Sequence, residues 1–243
     1  MTVPGIVVQA RMGSTRLPGK VLVDLAGAPS LARLFERLRR VQSVSTIVLA
    51  TSDLPGDDQI ATFVTGIADI KLWRGPEQDV LKRYADAARH YDLDPIVRIT
   101  ADCPLIEPAV IDAVVRQFQS GGFDYSDNVV PRTFPHGYDT QIFSRRALEA
   151  ADREATLPAD REHVGPFIIA RPDRFPPTHV VSSGATCGDL RITMDYPEDL
   201  ALIRAIYERL YPLNESFGLN EILELRAKEP ALFEINRARA IYG

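Results

Sequence analysis

Hydrophobic positions in the first part of the chain follow two rhythms in alternation. Short apolar runs, Ile6-Val7-Val8, Thr46-Ile-Val-Leu-Ala-Thr51, Ile70-Lys-Leu-Trp-Arg74 and Pro95-Ile-Val-Arg-Ile-Thr100, read as buried strands. Between them apolar residues recur at helical spacing. Residues 29–40 carry Leu31, Leu34, Phe35 and Leu38 on one face and basic residues on the other, and 60–67 form a weaker helix. Pro76 and Glu77 open a stronger one through Val80, Leu81, Tyr84, Ala85, Ala88 and Tyr91. The order β-α-β-α-β-α-β predicts an α/β fold, a parallel sheet with helices on both faces. Ligands of such sheets sit beyond the carboxyl ends of the strands, and the chemically interesting residues of all four units fall at those exits.

Beyond Phe118 the pattern changes. Gly121-Gly122, Pro131, Pro135 and Gly137 punctuate short alternating segments over 123–128 and 138–143. Helices are predicted at 145–154 and 160–170, followed by a Pro-rich stretch over 172–177. The span 121–189 reads as an inserted lobe covering the sheet, suited to shaping a second substrate pocket or a dimer contact. Leu190-Arg-Ile-Thr-Met194 predicts a return to strand, and a helix follows to Leu210. No internal repeat, low-complexity tract or linker interrupts the pattern, so residues 1–243 read as a single domain.

One polar stretch stands apart. Residues 9–22, Gln-Ala-Arg-Met-Gly-Ser-Thr-Arg-Leu-Pro-Gly-Lys-Val-Leu, follow the first strand directly. Arg11, Arg16 and Lys20 are interleaved with Gly13, Ser14, Thr15 and Gly19. Glycines let the backbone approach a ligand closely, hydroxyls add donors, and N–H groups with fixed cations at a strand exit suit a triphosphate. This is not a Walker loop, which has four residues between its glycines and Ser or Thr after the Lys. Here five residues separate Gly13 from Gly19, and Val21 follows Lys20. Nor is it the G-x-G-x-x-G fingerprint. A solvated polar loop would account for any one of the arginines, and less well for the string.

Composition changes the picture only by exclusion. A net charge of −5 argues against nucleic acid as the main partner, while a small anionic ligand needs only a local cluster of cations. Hydrophobic content of 45% and charged content of 25% are ordinary for a soluble globular protein. With no basic region leading into a long apolar segment and no membrane-length apolar run, a cytoplasmic location without membrane partners is expected. Cys103 and Cys187 make no disulfide framework, and His90, His136, His163 and His179 lack zinc-site spacing.

Two carboxylates share a context. Arg98-Ile-Thr-Ala-Asp102 and Arg191-Ile-Thr-Met-Asp195 both read Arg-Ile-Thr-x-Asp at a strand exit, and proline and an acidic residue follow each. If the strands lie side by side, Asp102 and Asp195 face one cleft and supply two hard oxygen ligands for Mg²⁺ against nucleotide phosphates. The other reading is that each Asp caps the next helix. The Asp92-x-Asp94 pair precedes its strand, at the wrong end of the sheet for a metal site.

The string QARMGSTRLPGKVL resembles the phosphate loop of the sugar-acid cytidylyltransferases: the CMP-Kdo synthetase, acylneuraminate cytidylyltransferase and spore-coat polysaccharide protein F group. The Arg, Ser, Arg-Leu-Pro-Gly-Lys and preceding strand all fall in register, and similarity extends over about residues 3–200. The resemblance implies a Rossmann-like nucleotidyltransferase (GT-A-like) mixed sheet, with CTP coupled to a sugar and pyrophosphate released. Implied nucleotide-binding residues are Ala10, Arg11, Met12, Gly13, Ser14, Arg16 and Lys20 in the loop, with Asp102. Arg11, Lys20, Asp102 and Asp195 are the implied catalytic set, and Asp102 and Asp195 the implied Mg²⁺ ligands.

Because the corresponding turn of the family lies by the base, Arg74 is expected to meet cytosine's O2 and N3. A helix start with Glu77 and Asp79 complementing its dipole is the other reading of that turn. Similarity to a Gly-x-Asp/Glu stretch and a Glu-His-Val stretch marks His136, Asp139, Gln141, Glu162 and His163 as acceptor-binding. A His or carboxylate there would orient the attacking hydroxyl or take its proton.

The span 121–189 is more similar to the spore-coat branch than to CMP-Kdo synthetases. An amino sugar or nonulosonic-type acid is therefore expected over Kdo, in surface polysaccharide or glycoconjugate synthesis. A phosphonate or another hydroxyl acceptor is the alternative. So are a non-catalytic nucleotide-sugar binder and, on a related fold, a glycosyltransferase. A homodimer is expected from the resemblance alone.

Overall fold

The computed structural model describes residues 3–184 and 186–239. Strand β1 (Val3–Gln9) leads through a polar loop into the hairpin β2 (Asp24–Leu25) and β3 (Ala28–Pro29), then helix α1 (Ser30–Leu38). Strand β4 (Thr46–Ser52), α2 (Asp58–Thr65), β5 (Ile70–Gly75), α3 (Val80–His90), β6 (Leu93–Thr100) and α4 (Pro108–Gln119) complete the alternating part. Three short strands follow, β7 (Tyr125–Asp127), β8 (Gln141–Phe143) and, after helices α5 (Arg145–Glu154), α6 (Pro158–His163) and α7 (Pro166–Ile169), β9 (Pro177–His179). Helices α8 (Pro197–Leu210) and α9 (Leu219–Lys228) follow, and 3₁₀ turns at Pro230–Glu234 and Arg237–Arg239 close the described chain.

All strands but the β2–β3 hairpin form one sheet in the order β5-β4-β1-β6-β8-β7-β9. The first four are parallel, and β8 runs antiparallel to β6. The alternation of side chains along a strand explains its two covers. Ile6 and Val8 of β1 face a core with Leu31, Leu34 and Phe35 of α1 and Ile111 and Val114 of α4. Val7 faces the other way, onto Leu81, Tyr84 and Ala88 of α3 and Leu148 and Ala151 of α5. A third cluster, with Tyr138, Ile192, Met194, Ile203 and Tyr207, packs α8 and α9 beside the sheet.

The predicted elements of the alternating part are all present, with boundaries shifted by a few residues, the most at the start of α3. Helix α3 begins at Val80, not Pro76, because Asp79 caps it by accepting from the Lys82 amide at 2.9 Å. Larger differences lie beyond Phe118. The span expected to cover the sheet does so with α5 and also extends it by β7, β8 and β9. The Pro-rich stretch leads into β9, which Pro177 opens at the sheet edge, where the missing N–H costs no ladder bond. The helix expected over 160–170 is two, broken at Val164, whose φ is 67°.

Residues 190–194 are not a strand. Their one β-type pairing among the described residues is an isolated parallel bridge, His136 with Arg191. Gly137 makes that approach feasible. Its φ is 118°, and a Cβ there would lie 2.7 Å from the backbone of Ile192.

Candidate active site

The loop after β1 is shaped by two anchors. Met12 N–H donates to Asp57 Oδ1 at 2.7 Å, and Asp57 Oδ2 accepts from the Ser52 amide and hydroxyl at the end of β4. Burial alone would raise the Asp57 carboxyl, but these donors outweigh it and hold it below its ordinary value. The Met12 carbonyl accepts from the Ser14 and Gly19 amides. Gly19, at φ 70°, turns the chain into a single 3₁₀ turn that starts with Lys20. Among the described residues the N–H groups of Gly13, Thr15 and Arg16 have no acceptor, which leaves donors for an anion.

Lys20 points into the space between the two echoing aspartates. Its Nζ lies 2.9 Å from Asp102 Oδ2 and 3.0 Å from Asp195 Oδ1. Burial would lower the ammonium, but the two carboxylates outweigh it and hold Lys20 above its ordinary value. Burial would likewise raise Asp102, and Lys20 reverses that and holds it low. The 190–194 segment reaches this point without being a strand, since the Met194 amide (2.8 Å) and Thr193 hydroxyl (3.2 Å) both donate to the Asp102 carbonyl.

Neither aspartate is a helix cap. The residue before α4 is Glu107, and at α8 it is Asp199 that accepts from the Asp195 and Tyr196 amides, each at 3.0 Å. Two carboxylates that share one ammonium are spaced to share one cation. Among the described residues no cluster of three or more acidic, His or Cys side chains is arranged for a metal ion. A pair of carboxylates is the protein contribution Mg²⁺ commonly takes, with substrate phosphates and water completing its shell.

Two cavities meet at this pair. The first, ≈ 290 Å³, is lined by Ala10, Arg11, Ser14, Arg16 and Lys20 of the loop and by Arg83, Glu162 and His163. The second, ≈ 250 Å³, is lined by Arg98, Cys103, His136, Asp139, Gln141 and Thr193. Thr100, Asp102 and Asp195 line both. The expected acceptor set is therefore divided: His136, Asp139 and Gln141 lie together, while Glu162 and His163 border the loop's cavity.

Arg74 departs from expectation. Its Nε and Nη2 donate to the carbonyls of Ser52 (2.8 Å) and Leu54 (2.9 Å), it pairs with Asp58 at 2.8 Å, and it lines neither cavity. Met12 and Gly13 act through the backbone and are not among the lining residues of either cavity. Arg16 lines the first cavity but is already engaged, with Asp195 at 3.1 Å and the Tyr196 hydroxyl at 3.1 Å.

Two arginines were not anticipated. Arg83 of α3 is 2% exposed, and its Nε and Nη1 have no partner among the described residues. Burial pushes its guanidinium below its ordinary value. The available signal was its position on the helix, three residues after Val80 and four before Ala87, both of which are buried. Arg98 stands opposite Gln141 across β6 and β8, donates to its Oε1 at 2.8 Å, and keeps a buried Nε without a partner among the described residues. Asp139, by contrast, is fully engaged in a two-pronged pair with Arg132 at 2.7 and 3.0 Å.

The profile of the cytidylyltransferase family matches residues 5–214. A 3-deoxy-manno-octulosonate cytidylyltransferase of Anaeromyxobacter is 37% identical over 175 residues, 66% of this chain and 70% of that one. The spore coat polysaccharide biosynthesis protein SpsF of Bacillus subtilis is 29% identical over 84% of this chain and 85% of its own. Among solved structures, a cytidylyltransferase of Leptospira borgpetersenii superposes with a TM-score of 0.89 at 31% identity, covering 96% of this chain and 97% of that one. No helix among the described residues is long and apolar enough to cross a membrane.

Proposed function

The chain belongs to the cytidylyltransferase family and is a CTP-dependent nucleotidyltransferase, and from that premise we infer that it transfers CMP from CTP to a sugar acid, releasing pyrophosphate. The observation that carries this reading is the sharing of Asp102 and Asp195 between a cation-lined cavity and a second, polar one. Transfer between two substrates needs such a boundary, with the α-phosphate at the seam.

In this reading Arg11, Ser14, Arg16, Lys20 and the free loop amides hold the β- and γ-phosphates and neutralise the leaving pyrophosphate. The Lys20 stem is flexible enough to bring its ammonium from the aspartates onto phosphate oxygens. Arg83 replaces Arg74 as the side chain reaching the nucleotide from α3. Asp102 and Asp195 would hold a divalent cation, Mg²⁺ in our reading, which when bound supplies charge neutralisation to the phosphates. The acceptor hydroxyl attacks the α-phosphate in line, and catalysis is chiefly positioning and charge stabilisation.

On the acceptor side Arg98 offers a cation with no carboxylate partner among the described residues, and Asp139 has no charge to spare for an ammonium. That favours an acid over an amino sugar. Residues 1–243 act as one unit in this scheme, with 121–189 supplying the acceptor side. The similarity to SpsF supports a role in surface polysaccharide synthesis, and we place the reaction in the cytoplasm. A homodimer belongs to the same proposal.

The test is pyrophosphate release with each of the four NTPs and Mg²⁺ over a panel of sugar acids, amino sugars and phosphonates. Release confined to CTP with a sugar acid is expected. Release with a phosphonate or amino sugar would move the acceptor class, and CTP binding without release from any member would favour a non-catalytic binder.

A further inference from the structure

His136 lines the second cavity, where a histidine invites assignment as the base that takes the acceptor's proton. Its contacts argue otherwise. Arg191 Nη1 lies 3.1 Å from His136 Nδ1. A guanidinium carries only N–H donors and stays protonated, so Nδ1 must accept with its lone pair. A ring with a lone pair on Nδ1 is neutral and carries its proton on Nε2. Protonating it would set N–H against N–H.

The Arg191 side chain is not free to turn away, and the His136 backbone is held. Arg191 is 9% exposed, and its Nε and Nη2 donate to the two oxygens of Asp199 at 3.0 and 2.9 Å, with Nη2 also reaching Asp195 Oδ2 at 3.0 Å. Asp199 is fully buried and is itself fixed by Asn236 Nδ2 at 2.8 Å. The His136 backbone is tied on both sides, its amide to the Leu190 carbonyl at 2.9 Å and its carbonyl to the Ile192 amide at 2.8 Å. Nε2 makes no hydrogen bond to any described residue. One clamped guanidinium thus orients a carboxylate at the seam and an imidazole in the second cavity.

We propose that His136 is a fixed hydrogen-bond donor to an oxygen of the acceptor and not its base, and that Arg191 is the positioning residue that makes it so by claiming Nδ1. The proposal rests on the second cavity being the acceptor site. The Nε2–H requires an oxygen lone pair opposite it, so it selects a hydroxyl, ring or carboxylate oxygen over an ammonium.

Two measurements test it. The first is the ¹⁵N spectrum of histidine-labelled protein at neutral pH, with His136 identified by its loss in His136→Gln. The proton is expected on Nε2 in the wild type, and a second tautomer should appear in Arg191→Lys, which keeps a charge for Asp199 but cannot fork. A proton on Nδ1, or a charged ring, in the wild type would overturn the proposal whatever the enzyme's substrates.

The second is kinetic, with pyrophosphate release from CTP. His136→Gln keeps an amide donor and should raise the acceptor KM less than His136→Ala, which should raise it about tenfold, with the KM for CTP in place in both. A loss of about 10²–10⁴ in kcat for Gln and Ala alike is the behaviour of a base and would sink the donor role. Failure of the cytidylyltransferase reading itself shows separately, as absent CTP turnover in the wild type.

Discussion

The two cavities share Thr100, Asp102 and Asp195 but are built in different ways. The loop cavity stands at the exits of parallel strands set by buried apolar packing, and its cations come from one continuous stretch of chain, joined by Arg83 of α3. The second cavity stands on three-residue strands and loops, and its side chains are held by polar pairs from distant segments: Arg98 with Gln141, Arg132 with Asp139, Arg191 with His136 and Asp199. In the first, packing places a ready-made set of donors. In the second, each functional group is placed by a partner that itself needs placing. Substitutions in the loop cavity should therefore act on chemistry and nucleotide affinity, and those in the second on the acceptor alone.

The largest effect is expected at the seam. Asp102→Asn should cut kcat by about 10²–10³ with far-ultraviolet circular dichroism unchanged, since a carboxylate is lost where charge must be balanced. Rates close to wild type would remove Asp102 from the metal and phosphate chemistry. On the loop side, Arg83→Gln should raise the KM for CTP by about ten- to hundredfold, in line with one charge-assisted contact, and leave the acceptor KM unaltered.

Across the seam, Arg98→Gln should do the reverse, raising the acceptor KM about tenfold without touching CTP binding by calorimetry. If either arginine moved both constants equally, the division into two functional sides would fail.

A smaller effect is expected at the loop's anchor. Asp57→Asn should lower stability in urea by about 1.5–3 kcal/mol near neutral pH, because a charged acceptor of three hydrogen bonds is lost. The wild-type Asp57 carboxyl is held below its ordinary value in the fold. Its stabilisation is therefore complete above the ordinary carboxylate range and is lost as pH falls through the folded value. The gap between variant and wild type should close in acid, and a constant gap would mean the contacts do not depend on the charge. The smallest effect belongs to Arg74→Gln, expected to shift the KM for CTP by less than about twofold and stability by about 0–1 kcal/mol, as for a partly exposed pair. A tenfold rise in KM would restore Arg74 to the base.

Much of this molecule was legible in the chain itself. Continuous apolar runs, alternating with helical faces, determined the parallel half of the sheet, because its inner strands are buried on both sides and have few other ways to hide their side chains. The loop of residues 9–22 stood out by composition as a candidate anion site, and the Arg-Ile-Thr-x-Asp echo paired Asp102 with Asp195, which share Lys20 even though the second copy is not a strand. Tertiary structure decided the rest. Strands of three residues, such as β7 and β8, show as short alternating segments but carry too little pattern to say that they extend the main sheet. Arg74 and Arg83 are both arginines near one turn, and only the packing of α3 on the sheet sends one to backbone carbonyls and buries the other beside the cavity. The proton on His136 is likewise absent from any local pattern. It is fixed by Arg191, 55 positions along the chain, because a side chain that can only donate leaves its neighbour no choice but to accept.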